Sequence, residues 1–174
     1  MAVKLLLICT IFITSLTAET NKINDNILIA ILSAEKQKNR PIGYKFLISF
    51  NSKKEARIIK EQIPEAFLDN RTIDCKNKKL CIDLTQQLWK IGINNLDLGA
   101  FQINSKIHHL KIEDYFNFKT SANFADNYIK KMINKYGYNW YAIASYHSQT
   151  PNENYNYQKK LIKTYFSKKL LSLN

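Results

Sequence analysis

Residues 95–104 read NLDLGAFQIN, an apolar run that polar side chains interrupt at short, irregular intervals. A buried strand does not ordinarily carry a carboxylate and an amide, because buried polar groups cost free energy unless they are hydrogen-bonded. Gly99 indicates either a close approach of the backbone to another group or a conformation that a side chain would forbid. We therefore interpret this stretch as one wall of a ligand cleft and expect another segment to supply the reactive group.

The N-terminus has the pattern of a signal peptide. Lys4 precedes an apolar run over 5–13, which is too short to span a bilayer, and Ala18 precedes a polar start at Glu19. We expect export to the periplasm with cleavage near Ala18 and no stable membrane insertion afterwards; the alternative is an N-terminal membrane anchor. Residues 1–18 then form the signal peptide, and residues 19–174 suit one domain with its own core.

The formal net charge of +12 falls to about +11 on cleavage, because Lys4 is the only charged side chain in residues 1–18. A basic protein is attracted to polyanions such as nucleic acid, anionic lipid or the bacterial envelope. Export argues against nucleic acid as a partner. The lysines are spread along the chain, so a solvated surface explains much of the excess.

Cleavage leaves two cysteines, Cys75 and Cys81. An even pair in an exported protein predicts a disulfide, here closing a small lysine-rich loop. Their spacing supplies too few ligands for a metal. His108 and His109 are adjacent and cannot share one helix face, so with His147 they make a poor metal set. We expect no metal and no cofactor.

Hydrophobic periodicity predicts a mainly α (α+β) domain with a small β element and the disulfide-closed loop. A strand is expected over 45–50, and residues 65–80 show no clear period. The first predicted helix is capped by Asn24 or Asp25 and runs through Ile27 to about Glu35. The other helices are predicted from the cap Ser52 to before Pro64, over 82–91, from the cap Ser121 to Gly137, over 139–147 and over 152–170.

Glu35 is a candidate acid at the end of the first helix. Leu32, Ile31 and Leu28 lie three, four and seven residues before it, so its side chain projects from the apolar face. A carboxylic acid on that face is desolvated, which raises its pKa. The alternative is a helix-end glutamate that bends away to solvent.

Glu35, residues 99–104 (GAFQIN) and residues 145–151 (SYHSQTP) follow one another in the order of three motifs. This order resembles the soluble lytic transglycosylase family, whose members have a lysozyme-like fold and cleave the glycan strands of peptidoglycan. Asp97 and the His-Ser-x-Thr-Pro ending look most like the branch associated with type IV secretion. The resemblance spans roughly residues 27–165.

The chain departs from the family pattern in several places. Lys36 stands where serine usually follows the glutamate, and an inward Lys36 would lower the pKa of Glu35. Ala100 and Phe101 replace leucine and methionine, and Gln149 stands where glycine is common. None of these changes removes the acid.

The resemblance implies one acid/base, Glu35, which protonates the glycosidic oxygen while the substrate's own N-acetyl group participates. The 6-hydroxyl of the sugar then closes a 1,6-anhydro ring. Gln102 and Tyr146 would position the acetamido group and the glutamate, Asn104 would brace the loop, and Tyr157 would complete the cleft floor. The implied substrate-binding residues are therefore Gly99, Phe101, Gln102, Asn104, Tyr146 and Tyr157.

Asp97 leaves a second interpretation open, because it could be the second carboxylate of a hydrolytic muramidase; otherwise it is a turn or cap residue that holds the motif. A third hypothesis is a non-catalytic glycan-binding subunit of an envelope-spanning machine, with Lys36 marking lost activity. The expected partners are peptidoglycan glycan strands and components of such a secretion machine. The long segment over 51–95 is our candidate for a loop that closes one end of the groove.

Overall fold

Seven α-helices and four short strands lie along residues 25–171, the part of the chain that this computed structural model describes. The strands are β1 (Leu47–Phe50), β2 (Thr72–Asp74), β3 (Leu96–Leu98) and β4 (Ile103–Asn104). The helices are α1 (Asp25–Ala34), α2 (Lys53–Gln62), α3 (Lys78–Lys90), α4 (Ile112–Tyr115), α5 (Phe118–Tyr136), α6 (Trp140–Ala144) and α7 (Pro151–Leu171). The mainly helical α+β fold class predicted from periodicity is confirmed.

The predicted signal peptide and the alternative helix cap Asn24 lie outside the described residues. None of the helices within residues 25–171 combines the length and apolar character needed to cross a bilayer.

The four strands form one antiparallel sheet in the order β2-β1-β3-β4. Ser49 pairs with Thr72 on one side and with Asp97 on the other, and Asp97 pairs with Asn104. Because side chains directly opposite one another share a face of a sheet, these four residues form a polar row across all four strands.

The neighbouring row of the sheet is apolar. Ile48 pairs with Ile73 and with Leu98, which pairs with Ile103, and all four are buried in the hydrophobic core. One face of the sheet therefore packs on the core, and the other presents polar groups.

The structure corrects one predicted helix cap and confirms another. Ser121 does not cap α5: it is buried one turn inside the helix, and its hydroxyl donates to the Asn117 carbonyl at 2.8 Å. Asn117 is the cap, because its side-chain oxygen accepts from the Thr120 amide and the helix therefore begins one turn earlier. The cap Ser52 of α2 was predicted correctly, since it accepts from the Glu55 amide.

The Cys75–Cys81 disulfide is present, and it joins the end of β2 to the first turn of α3. Residues 65–80 are more ordered than their pattern indicated, because β2 lies within them and α3 begins at Lys78 after the cap Asn77. The disulfide therefore links two regular elements, not the ends of a free loop.

Asp74, in the last position of β2, holds the segment that leads from α1 into the sheet. Its buried carboxylate accepts hydrogen bonds from Tyr44, from the Arg40 guanidinium and from the amide and ammonium groups of Lys76. Burial alone would raise the pKa of Asp74, but these donors outweigh it and lower that pKa to about 2. The chain that follows Glu35 is thereby fixed against the sheet edge.

Gly99 connects β3 to β4 where the chain passes directly against α4. Its φ is +75°, and a β-carbon there would lie 2.0 Å from the backbone oxygen of Tyr115. The sequence offers two reasons for a glycine here, a close approach and a backbone conformation that a side chain would forbid, and both apply. The group that comes close is the protein's own backbone and not a ligand.

We predict that Gly99→Ala destabilises the fold by about 3 kcal/mol or more, since the new methyl group collides with backbone that cannot rotate away. Gly92→Ala is the matched control, because Gly92 also has a positive φ, +85°, but a methyl group added there would have nothing within 4 Å. The control should cost only about 1–2 kcal/mol, the penalty for the left-handed backbone. Urea unfolding of both variants measures the difference; equal losses would contradict the steric argument.

Candidate active site

Glu35 continues the hydrogen bonding of α1, with its amide donating to the Ile31 carbonyl at 2.8 Å. Its side chain is only 12% exposed. The carboxyl group therefore lies on the apolar face of the helix, as the spacing predicted, and does not bend away to solvent. The alternative interpretation of Glu35 as a solvated helix-end residue is wrong.

Tyr157 of α7 is the residue that holds this carboxyl group. Its hydroxyl donates to Glu35 Oε1 at 2.5 Å, and its ring is 5% exposed. The contact joins residues that are 122 positions apart in the sequence and depends on the packing of α7 against α1. Tyr157 thus supplies a direct hydrogen bond to the candidate acid.

His147 packs against the face of the Tyr157 ring. Its ring stacks on that of Tyr157 with centroids 4.5 Å apart and planes 12° apart, and its Nδ1 lies 3.9 Å from Glu35 Oε1. The imidazole is 45% exposed, so it forms the boundary between the buried carboxyl group and solvent. The three side chains make one connected unit.

The carboxyl group of Glu35 opens into a cavity of about 200 Å³ that faces the polar row of the sheet. This volume is below the roughly 300–1,000 Å³ typical of whole-ligand pockets, so the cavity suits the reacting part of a larger ligand. The lining residues are Glu35, Gln37, Ser49, Asp69, Arg71, Thr72, Asp97, Gln102 and His147.

Burial raises the pKa of Glu35 above its ordinary value. The hydrogen bond from Tyr157 lowers that pKa, as does the electrostatic influence of His147 and Lys160, and Asp97 raises it. Desolvation outweighs the lowering influences. A carboxyl group with a raised pKa can hold a proton nearer to neutral pH and then release it, as a general acid requires.

Asp97 lies at the centre of the polar row and lines the same cavity. Its Oδ1 accepts a hydrogen bond from Asn104 Nδ2 at 2.9 Å. Burial raises the pKa of Asp97, while hydrogen bonding from Asn51 and Asn104 opposes the rise. Asp97 is therefore both a brace within the hairpin and a carboxyl group that faces the candidate acid.

Asn104 braces the hairpin, as predicted. Its amide nitrogen donates to Asn95 and Asp97 at 2.9 Å each, and its side-chain oxygen accepts from the amides of Lys106 and Ile107. Asn104 does not line the cavity. Its assignment as a substrate-binding residue stays a prediction.

Gln102 is the residue of the 99–104 motif that lines the cavity. It has a positive φ of 49°, uncommon for a residue with a side chain, and its amide nitrogen donates to the Gly99 carbonyl at 2.7 Å. Phe101 is 1% exposed and packs against Phe118, so it supports this turn from behind and cannot present its ring to a ligand. Gly99 is likewise buried.

Tyr146 joins α6 to the same turn. Its hydroxyl donates to the Phe101 carbonyl at 2.6 Å, and it does not line the cavity. The sequence predicts that Tyr146 helps to position Glu35 and that Tyr157 completes the cleft floor. In the structure, Tyr157 donates a hydrogen bond to Glu35, and Tyr146 donates one to the backbone of the 99–104 motif.

Lys36 is exposed, and it is not among the groups that shift the pKa of Glu35. The cation that influences the acid is instead Lys160, one turn after Tyr157 on α7. The possibility that an inward Lys36 lowers the pKa of Glu35 is therefore excluded.

Sequence reasoning missed several residues of the cavity. His147 belongs to the motif over 145–151, and its place there is the signal that could indicate a site role beyond metal binding. The others carry no local signal, because strand pairing and a turn bring them to Glu35: Gln37, Ser49, Asp69, Arg71 and Thr72. Within residues 25–171, no group of three or more histidine, cysteine, aspartate or glutamate side chains could hold a metal ion.

Comparison with known proteins adds no relative: no family model matches the chain, and neither do curated proteins or solved structures.

We predict that Tyr157→Phe raises the pKa of Glu35 further, because it removes the hydrogen bond that favours the ionised carboxylate. The measurement is a pH titration of the Glu35 side-chain carbon by NMR. Tyr155→Phe is the matched control, since Tyr155 lies on the same helix but is 61% exposed. An unchanged or lowered pKa in Tyr157→Phe would contradict the role given to this hydroxyl.

Proposed function

We propose that the protein is a peptidoglycan lytic transglycosylase that cleaves the MurNAc–GlcNAc β-1,4 bond with Glu35 as its sole acid/base. The observation that carries the proposal is the Glu35 carboxyl group: it is buried, held by Tyr157 and directed at a polar cavity in the sheet. The motif order Glu35, 99–104 and 145–151 supports the same reaction class. So does the resemblance to the soluble lytic transglycosylases.

The proposed reaction has two steps. Protonated Glu35 gives its proton to the glycosidic oxygen as the bond to C1 breaks, and the carbonyl oxygen of the sugar's own N-acetyl group bonds to C1. The Glu35 carboxylate then takes the proton of the 6-hydroxyl, whose oxygen displaces the acetamido oxygen from C1 and closes the anhydro ring. No water is consumed, and Glu35 ends protonated, ready for another cycle.

The raised pKa of Glu35 suits both steps, because the same group must be protonated in the first and ionised in the second. Tyr157 is suited to support the ionised form between the steps, since its hydroxyl donates to the carboxylate. Gln102, the motif residue that lines the cavity, is proposed to face the acetamido group of the sugar.

A hydrolytic muramidase is the second candidate, and the position of Asp97 favours it. Asp97 lines the same cavity as Glu35, so it could stabilise a cationic sugar or activate water. We prefer the brace role, because its carboxylate already accepts from Asn104 and burial raises its pKa, which disfavours the ionised form.

The third candidate, a glycan-binding subunit without activity, takes Lys36 as a mark of lost activity. Lys36 is exposed and Glu35 keeps its place in the cavity, so we prefer the two catalytic candidates. We propose the periplasm as the site of action and glycan strands as the substrate, with a type IV secretion apparatus as a partner that the motif ending suggests.

We predict that Glu35→Gln lowers the release of muropeptides from purified sacculi by about 10²–10⁴-fold, the usual contribution of a general acid, and leaves the helical circular dichroism unchanged. Glu113→Gln, at an exposed glutamate on α4, should keep full activity. Equal release by Glu35→Gln and wild type would overturn the catalytic role, and equal, near-zero release by both would leave only binding.

Mass spectrometry of the products separates the two catalytic candidates. We predict 1,6-anhydromuramyl ends from the wild type and also from Asp97→Asn at a reduced rate. Reducing ends from the wild type, lost in Asp97→Asn, would identify a muramidase instead.

A further inference from the structure

A basic groove lies beside the candidate active site. Its volume is about 530 Å³, within the usual range for ligand sites, and its lining comes from α2 and from the turn before β2. Five of the six lining residues are cations, namely Lys53, Lys54, Arg57, Lys60 and Arg71, and the sixth is Asn70.

The spacing of these cations follows from the helix. Lys53, Arg57 and Lys60 are four and then three residues apart, so they share one face of α2, and Lys54 stands beside them. A different face of α2 buries Ala56 and Ile59 in the core. The cationic face is therefore fixed in direction by the packing of the helix.

The charges of this groove are largely left without a carboxylate partner in the part of the chain that the structure describes; the exception is Arg71, whose charge lowers the pKa of Asp97 in the neighbouring cavity. None of its five cations forms an ion pair there. Lys60 donates to the Asp69 backbone carbonyl and the Asn70 amide oxygen, and Arg71 donates to the Phe50 carbonyl at 2.7 Å. These acceptors are uncharged, so they orient the two cations and leave the positive charge available.

Arg71 connects the groove to the candidate active site, since it lines both cavities. The catalytic cavity itself carries three carboxyl groups, those of Glu35, Asp69 and Asp97, and Arg71 is the one lysine or arginine in its lining. A ligand that reaches from one cavity to the other would place neutral groups near Glu35 and negative groups over α2.

We propose that this groove binds the free carboxylates of the peptide stems that branch from the glycan strand, while the neutral sugars occupy the catalytic cavity. The proposal rests on the proposed function for the identity of the strand. Glycan sugars offer hydroxyl and acetamido groups, which do not call for five cations. The stems carry several carboxylates, and each lies a short distance from the sugar backbone.

The test is the triple variant Lys53→Gln, Lys54→Gln, Arg57→Gln, made in the Glu35→Gln background so that binding is measured without turnover. All three side chains are exposed, so the fold should be kept, and circular dichroism checks it. The control variant Lys78→Gln, Lys79→Gln, Lys90→Gln removes the same charge from exposed positions of α3 that line neither cavity.

Co-sedimentation with purified sacculi is the measurement. We expect about tenfold weaker binding for the triple variant, because three exposed ion pairs each contribute modestly, and near wild-type binding for the control. Sacculi whose stem carboxylates have been amidated should bind the Glu35→Gln parent as weakly as untreated sacculi bind the triple variant. Added salt should reduce the difference between the proteins.

Three outcomes would overturn the proposal: equal binding by the triple variant and its parent, equal losses in both triple variants, or a loss that persists on amidated sacculi. A loss confined to vesicles of phosphatidylglycerol would assign the groove to anionic lipid instead. Failure of the proposed function would give a different result. The wild type would then form no anhydro products, while the triple variant would still bind sacculi more weakly than its parent.

Discussion

The structure depends on placing one carboxyl group, that of Glu35, where water cannot fully solvate it. A buried ionised carboxylate is costly, so the group either stays protonated or finds a donor. Tyr157 supplies that donor from the last helix, with His147 stacked against it. The packing of α7 on α1 therefore stabilises the fold and sets the protonation behaviour of the candidate acid together.

The motif over 99–104 has a role that differs from the one its polarity suggested. Its polar atoms are mostly used within the protein: Gln102 bonds Gly99, Asn104 bonds Asp97, and Tyr146 reaches in to the Phe101 carbonyl. A turn with two positive φ angles needs such support. The motif is thus a turn braced by internal hydrogen bonds, and Gln102 is its one side chain that lines the cavity.

Charge is separated between two adjacent cavities. Three carboxyl groups line the candidate reaction centre, where a raised pKa of Glu35 is useful, and four of the five cations of the groove lie on α2. Arg71 lies at the boundary and contributes to both. Much of the chain's basicity is explained by a solvated surface, but part of it is concentrated in the groove along α2.

Local pattern in the sequence determined the helical fold class, the apolar face on which Glu35 lies and the pairing of Cys75 with Cys81, because each depends on residues within a few turns of one another. The register of the sheet and the contact of Tyr157 with Glu35 join residues far apart in the chain, so no local period encodes them. Only the tertiary structure could show that Tyr157 contacts Glu35 while Tyr146 bonds the Phe101 carbonyl. The tertiary structure was also needed to show that Arg71 lines both the candidate catalytic cavity and the basic groove, since strand pairing brings Arg71 there.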